Sequence, residues 1–236
     1  HSAYHIPCDE INSLLRDRFN NIWLGSIGGG VLMIDTKQSP FTFYSLNLAE
    51  DDVPTTAVRA LFADADKDLW LGTGSYGLAR KDYETGVLSF FSHIPEFSDI
   101  PSVPTVNYII QRKNGEVWFA TYDGGILIYE KGEKVKVLTE SDTPYLYSDC
   151  VSALCEDSKG NCWVGCRGGM GISLADGGHY RFGTLSFAGG GLADWYHVKD
   201  IVEDADGSFW IATANYGIIH IMGDVQHPET LKYSNY

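Results

Sequence analysis

No stretch of this chain approaches the roughly 18 consecutive apolar residues that a membrane helix needs, so direct membrane insertion by this chain is not expected. Basic residues are scarce: 17 Lys and Arg stand against 31 Asp and Glu, a formal net charge of −14. No lysine–arginine cluster forms the electrostatic footprint that phosphate binding requires. Nucleic acid and anionic membrane are therefore excluded as expected partners, and neutral glycans, cationic ligands and protein surfaces stay open. The opening residues, His1 to Ile6, lack a signal-peptide pattern, so any export signal is expected outside this chain.

Metal and catalytic patterns are missing as well. Cys150, Cys155, Cys162 and Cys166 have four, six and three residues between them, which misses the CxxC spacing of zinc sites. They read as small buried residues of one repeat, with a Cys150–Cys155 or Cys162–Cys166 disulfide as the alternative in an oxidising compartment. The seven histidines, His1, His5, His93, His179, His197, His220 and His227, show no ligand spacing. Asp64, Asp66 and Asp68 resemble the opening of a calcium loop, but Leu69 and Ser75 stand where an EF-hand wants glycine and glutamate. They are read as turn chemistry, and no metal or cofactor is expected. Without a nucleophile beside a base or a carboxylate pair at defined separation, no enzyme is expected.

What the chain does have is one unit written five times. Trp23, Trp70, Trp118, Trp163 and Trp210 each begin the pattern Trp, apolar, Gly or Ala, then Ser, Thr or Cys. Twelve residues upstream stand Ile11, Val58, Val106, Val151 and Val198, opening a short apolar segment that reads as a buried strand. Six residues before the tryptophan an acid recurs, Asp17, Asp64, Asp157 and Asp204, with Arg112 as the exception; Gly115, Gly160 and Gly207 stand three before it. This is turn chemistry between two strands. After the tryptophan strand come a glycine-rich break, a third strand such as Ile126 to Tyr129, and a fourth with aromatics such as Phe41 to Tyr44.

Four short strands per repeat of this period is the arithmetic of a β-propeller blade. The fold expected is all-β, a single propeller domain over 1–236 with four-stranded antiparallel blades near 11–48, 58–95, 106–140, 151–187 and 198–234. The five repeats make either a closed five-bladed ring or part of a seven-bladed propeller. The tryptophans are expected to pack between neighbouring blades, where a large ring fills the gap between twisted sheets.

The units VRALFADADKDLWLGTGSYGLARKD, VSALCEDSKGNCWVGCRGGMGISL and VKDIVEDADGSFWIATANYGIIHI resemble the two-component regulator propeller repeat. That repeat builds the periplasmic sensor region of hybrid two-component histidine kinases of gut anaerobic bacteria. The resemblance implies a periplasmic ligand-sensing module whose inducer is an oligosaccharide, working with neighbouring sensor domains or a second protomer. A protein-interaction scaffold without a small ligand is the alternative, and a propeller lyase ranks third.

In a propeller the loops after the second and fourth strands gather on one face, and function tends to live on such loops. The candidate ligand-binding residues are Tyr76, Tyr122, Asp123, Arg167, Asn215 and Tyr216 from the second-to-third loops. Asp194, Trp195, Tyr196 and His197 come from the last interblade connection, and Arg59 and Lys199 from the start of inner strands. Trp195 is the one tryptophan outside the repeat position and suits stacking on a sugar face; the Arg167 fork suits a carboxylate-bearing sugar.

Overall fold

The computed structural model describes residues 10–27, 30–34, 42–44, 57–74, 76–182, 185–186, 192–193, 197–227 and 230–236. The chain divides into two compact units, residues 1–111 with 130–135 (unit 1) and residues 112–129 with 136–236 (unit 2). The division runs through the third copy of the repeat, which gives its first strand and residues 130–135 to unit 1 and its other strands to unit 2.

In unit 1 the first copy folds as β1 (Ile11–Arg16), β2 (Ile22–Ser26), β3 (Gly30–Ile34) and β4 (Thr42–Tyr44), an antiparallel sheet in chain order. The second repeats it as β5 (Val58–Ala63), β6 (Leu69–Thr73), β7 (Leu78–Lys81) and β8 (Leu88–Phe90). The third copy's first strand is β9 (Val106–Gln111). Unit 2 holds the meander β10 (Val117–Thr121), β11 (Ile126–Tyr129) and β12 (Lys136–Leu138). The fourth copy follows as β13 (Val151–Glu156), β14 (Cys162–Cys166), β15 (Gly169–Ser173) and β16 (His179–Phe182). After the two-residue strands β17 (Leu185–Ser186) and β18 (Leu192–Ala193) comes the fifth, β19 (Val198–Glu203), β20 (Phe209–Thr213), β21 (Ile218–Met222) and β22 (Lys232–Asn235). Each first strand begins at the residue twelve before the tryptophan. Among the described residues no helix is long and apolar enough to cross a membrane.

The core lies between successive copies. In unit 1, Trp23 and Val31 of the first copy cluster with Val58, Leu69, Leu71 and Phe90 of the second. In unit 2, Trp163, Met170 and Ile172 of the fourth cluster with Val198, Ile201, Phe209 and Ile219 of the fifth, the Trp163 and Phe209 rings 4.1 Å apart. The glycine of Trp-x-Gly sets this approach: a Cβ on Gly25 would stand 2.8 Å from Val58, and one on Gly165 would stand 2.4 Å from Val198. Packing between copies is thus written into the tryptophan, the glycine after it and the valine that opens the next copy.

The recurring acid does more than shape a turn. Asp17, Asp64, Asp157 and Asp204 each accept a hydrogen bond from the Nε1–H of their own copy's tryptophan, at 3.0, 2.8, 3.1 and 2.9 Å. A buried indole N–H left without an acceptor would cost about 1–3 kcal/mol. In the third copy Glu116 accepts from Trp118 at 3.0 Å, and Arg112 lies over the same ring, 4.8 Å from its centroid, while pairing with Glu156 at 3.2 Å.

The three aspartates that resembled a calcium loop are engaged within unit 1. Asp64 accepts from Trp70 and from the Asp68 backbone, Asp66 pairs with Lys131 at 2.8 Å, and Asp68 pairs with Arg80 at 3.7 Å and accepts from the Tyr83 backbone. The four cysteines among the described residues, Cys150, Cys155, Cys162 and Cys166, are free thiols, which corrects the disulfide alternative. Cys162 and Cys166 are four residues apart on the extended β14, and Cys150 and Cys155 are five apart along the β13 segment. At about 3.3 Å per residue each pair exceeds the roughly 7 Å Cα limit of a disulfide. Across the β13–β14 ladder Cys155 faces Trp163 and Cys166 faces Val151, so no two thiols oppose. Burial pushes Cys155 up to about 11 and Cys162 up to about 12, which leaves both inert at neutral pH.

Candidate functional site

Where the second and third strands of a copy are joined in unit 2, loops of different length meet. Four residues, 122–125, join β10 to β11, and only Arg167 and Gly168 join β14 to β15. Asp123 stands in the left-handed region (φ 65°), which aspartate tolerates better than most residues. The segment entering β13 passes between these loops. Its Asp149 carbonyl accepts from the Gly125 N–H at 2.9 Å, and its Cys150 carbonyl accepts from the Arg167 N–H at 2.9 Å.

These segments enclose a cleft of about 580 Å³ lined by Asp123, Tyr147, Ser148, Asp149, Cys150, Arg167 and Gly168. The volume lies within the roughly 300–1,000 Å³ range of small-ligand sites. Its frame is rigid. Ser148 Oγ donates to the Arg167 carbonyl at 3.1 Å, Asp149 Oδ1 accepts from the Glu140 N–H at 2.6 Å, and the Tyr147 ring packs 3.3 Å from where a Gly168 Cβ would stand. Gly168 (φ 91°) lets this two-residue turn form beside the ring.

Arg167 is fixed through its backbone while its guanidinium has neither a side-chain hydrogen bond nor an ion pair among the described residues. It also makes an antiparallel bridge with His197, whose carbonyl accepts from the Ala214 N–H at 2.9 Å. The His197 Nε2 is buried without a partner among the described residues. Burial, then the positive charges of Lys199 and Arg167, hold its pKa below the usual imidazole value, so the ring is neutral at pH 7. The Cys150 thiol is pushed up by burial and by the Asp123 charge, against the opposing pull of Arg167, the Asp123 N–H and Lys199. One guanidinium, two carboxylates and a tyrosine thus line one space, with His197 bridged to Arg167 through the backbone and Lys199 within electrostatic reach of His197 and Cys150.

Lys199 reaches this neighbourhood through a backbone feature. In β19–β20 the register slips between Val198 and Asp200, leaving Lys199 as an extra bulge residue, and the same slip occurs at Asn12, Arg59 and Ser152. Bulges re-aim side chains at sheet ends. Ser152 is buried and donates to the Val198 carbonyl, whereas Lys199 and Arg59 are exposed.

The structure therefore brings together Asp123, Arg167, His197 and Lys199 of the expected residues, with Tyr122 exposed beside Asp123. Tyr216 is half-buried against the apolar core between the fourth and fifth copies, its N–H bonded to Thr213 Oγ1 at 2.9 Å, and Asn215 is exposed in the same turn. Tyr76 and Arg59 belong to unit 1, where Tyr76 packs edge-on to Phe90 at 6.0 Å. Asp194, Trp195 and Tyr196 lie outside the described residues. Ser148, Asp149 and Gly168 were not foreseen as site residues. Their signal was the polar run Tyr147-Ser148-Asp149 ahead of Cys150, which neighbours Asp123 only once sheet pairing is known. Among the described residues no group of histidine, cysteine, aspartate or glutamate is arranged to hold a metal ion.

Two segments, residues 5–28 and 148–168, match the two-component regulator propeller family. The second of them spans the cleft from Ser148 to Gly168. No curated protein matches the chain in sequence. Among solved structures, the chain is similar to the extracellular domain of the putative hybrid two component system BT3049 from B. thetaiotaomicron, with a TM-score of 0.76 and 20% identity over 99% of this chain and 29% of that one. It is similar to the extracellular domain of the putative one component system BT4673 from B. thetaiotaomicron, with a TM-score of 0.55 and 16% identity over 97% and 29%. A streptogramin B lyase structure gives a TM-score of 0.67 and 13% identity over 98% and 70%. At these identities the likeness establishes the fold, an all-β propeller. The chain spans under a third of those two extracellular-domain structures.

Proposed function

We propose that this chain, which carries two-component regulator propeller repeats, is a ligand-recognition module of a periplasmic sensor, and that the unit 2 cleft takes an oligosaccharide. The observation that carries this reading is Arg167, held by its backbone at the mouth of a cleft of about 580 Å³ with its guanidinium unpaired among the described residues. A guanidinium fork pairs bidentately with a carboxylate, Asp123 and Asp149 offer acceptors for sugar hydroxyls, and Tyr147 offers an apolar face. The matched segment 148–168 and the fold of the sensor structures support the reading.

Such a module binds without chemistry. A ligand shifts a sensor only through differential affinity for two states, so the output depends on how this module meets a neighbouring domain or protomer. The test is a thermal-shift screen against neutral and uronate-bearing oligosaccharides. At about 100 times its dissociation constant a ligand adds roughly 2.7 kcal/mol, a rise of several degrees for a domain of this size. A selective rise that Arg167→Ala abolishes is the expected result; no rise with any glycan would overturn the oligosaccharide reading.

A further inference from the structure

Unit 1 holds a second, smaller cleft of about 190 Å³ between the first hairpin of the first copy and the β7–β8 turn of the second. Trp23, Met33 and Leu69 supply its apolar wall. At its mouth the exposed rings of Phe19 and Tyr83 lie stacked, centroids 5.9 Å apart and 3° from parallel. Lys67 Nζ sits 4.6 Å from the Tyr83 centroid and 5.7 Å from that of Phe19, and the Arg18 guanidinium sits 6.0 Å from Phe19.

The one carboxylate in the lining is turned inward. Asp17 accepts from the N–H groups of Phe19 and Asn21, from Asn21 Nδ2 and from the Trp23 indole. The lining thus sets Lys67 and Arg18 at the mouth, the Arg18 guanidinium also donating to the Ala65 carbonyl at 3.1 Å, while its one carboxylate is held by the turn.

The backbone gives an independent sign that Lys67 serves something other than the turn. Three residues before each tryptophan the chain is left-handed: Asn20 (φ 69°), Lys67 (76°), Gly115 (96°), Gly160 (86°) and Gly207 (82°). Three copies use glycine, which takes this conformation freely, and one uses asparagine, which tolerates it. Lysine does so at a cost. Strain of this kind persists where a side chain is needed in place.

We propose that this cleft is a binding site for a small planar organic carboxylate. Its volume is below the range of drug-sized pockets, which admits a single ring and not a glycan chain. The ring lies against the apolar wall, and the carboxylate meets Lys67 and Arg18 at the aromatic edge.

The test is a ¹⁵N NMR titration of the purified chain with benzoate, its neutral isostere benzamide and cationic benzylamine. Benzoate should shift the Trp23 indole and the Lys67 and Tyr83 amides saturably, with a dissociation constant of about a millimolar for so few atoms. Benzamide should bind about tenfold more weakly for want of the charge-assisted contact, and benzylamine should not bind. Lys67→Gly keeps the left-handed backbone used in the other copies, so it should leave the melting temperature equal or higher while weakening benzoate about tenfold. Equal binding of benzoate and benzamide, unchanged benzoate affinity in Lys67→Gly, or shifts mapping away from the cleft would each overturn the proposal, as would no saturable shift.

Discussion

The third and fourth copies face the same problem at one end of their tryptophan strands and part company at the other. At the first-hairpin end both must satisfy an indole N–H. The fourth uses Asp157, almost wholly buried, which also receives the Asn161 N–H and side-chain amide; the third uses Glu116, with Arg112 in the aspartate's place. The turn survives the exchange: Arg112 N–H to Glu116 carbonyl is 2.8 Å, and Asp157 N–H to Asn161 carbonyl is 2.9 Å. The recurring acid therefore serves both the turn and the tryptophan, tasks that the third copy divides between Asn114 and Glu116. At the far end, the same strands carry Tyr122 and Asp123 in one copy and Arg167 and Gly168 in the other, with no shared task. Residues that differ while doing one job mark structure; residues that differ because they do different jobs mark the site.

The largest effect expected on this comparison comes from the rings. Trp163→Ala should cost about 3–5 kcal/mol in urea denaturation, because Trp163 is fully buried against Phe209. Trp210 is half-buried, stacked on His220 at 3.9 Å, so Trp210→Ala should cost clearly less. Equal losses would mean that packing between copies is not what holds these rings.

Next come their acceptors. Asp157→Ala takes the acceptor from three buried donors, the Trp163 indole and the Asn161 N–H and side-chain amide, at about 1–3 kcal/mol for each left unsatisfied, whereas Glu116→Ala removes a half-buried acceptor and should cost about 1 kcal/mol. The same denaturation curves rank them, and a reversed order would break the comparison.

Titration gives a smaller effect with opposite signs in two copies. Burial pushes Glu116 up, but bonds from Asn114 and Trp118 and the charges of Arg112 and Lys136 outweigh it and hold it below 4.5. Its stabilisation is present above the unfolded value and disappears as pH falls through the lower folded value. Glu116→Gln should therefore be less stable than the parent at pH 7, with the gap closing below about pH 4.5. Asp64 in the second copy is held above 3.8, by burial first and by the neighbouring Asp68 and Asp66 charges, against the Trp70 and Asp68 bonds. Its penalty exists above the raised value and is relieved as pH falls through it. Asp64→Asn removes that penalty but gives up one of the two accepted bonds, so its stability relative to the parent should be highest at pH 7 and fall on acidification. Melting curves from pH 3 to 7 read both.

Strands were legible in the sequence because period and pattern coincide: the residues that open first strands and the tryptophans of second strands stand where the repeat puts them. The role of the acid was half legible. Its spacing spoke of a turn, but its bond to the indole depends on a hairpin that brings residue i and residue i+6 together. Of the cleft lining, Asp123 and Arg167 could be read from loop position alone. Ser148, Asp149 and Gly168 could not, because what joins them is backbone pairing between the segment entering β13 and the two loops. The cysteines were legible from their slots in the repeat as small buried residues, and extended strands keep the four apart as free thiols.

The most direct test of the distinction between a structural end and a functional end is isothermal titration of the parent chain and Arg167→Ala with the oligosaccharide that most raises the melting temperature. The account predicts at least a tenfold loss of affinity in Arg167→Ala, the cost of one charge-assisted contact, with the unliganded melting temperature unchanged. Equal affinity in the two proteins, or a loss of affinity matched by a loss of stability, would contradict it.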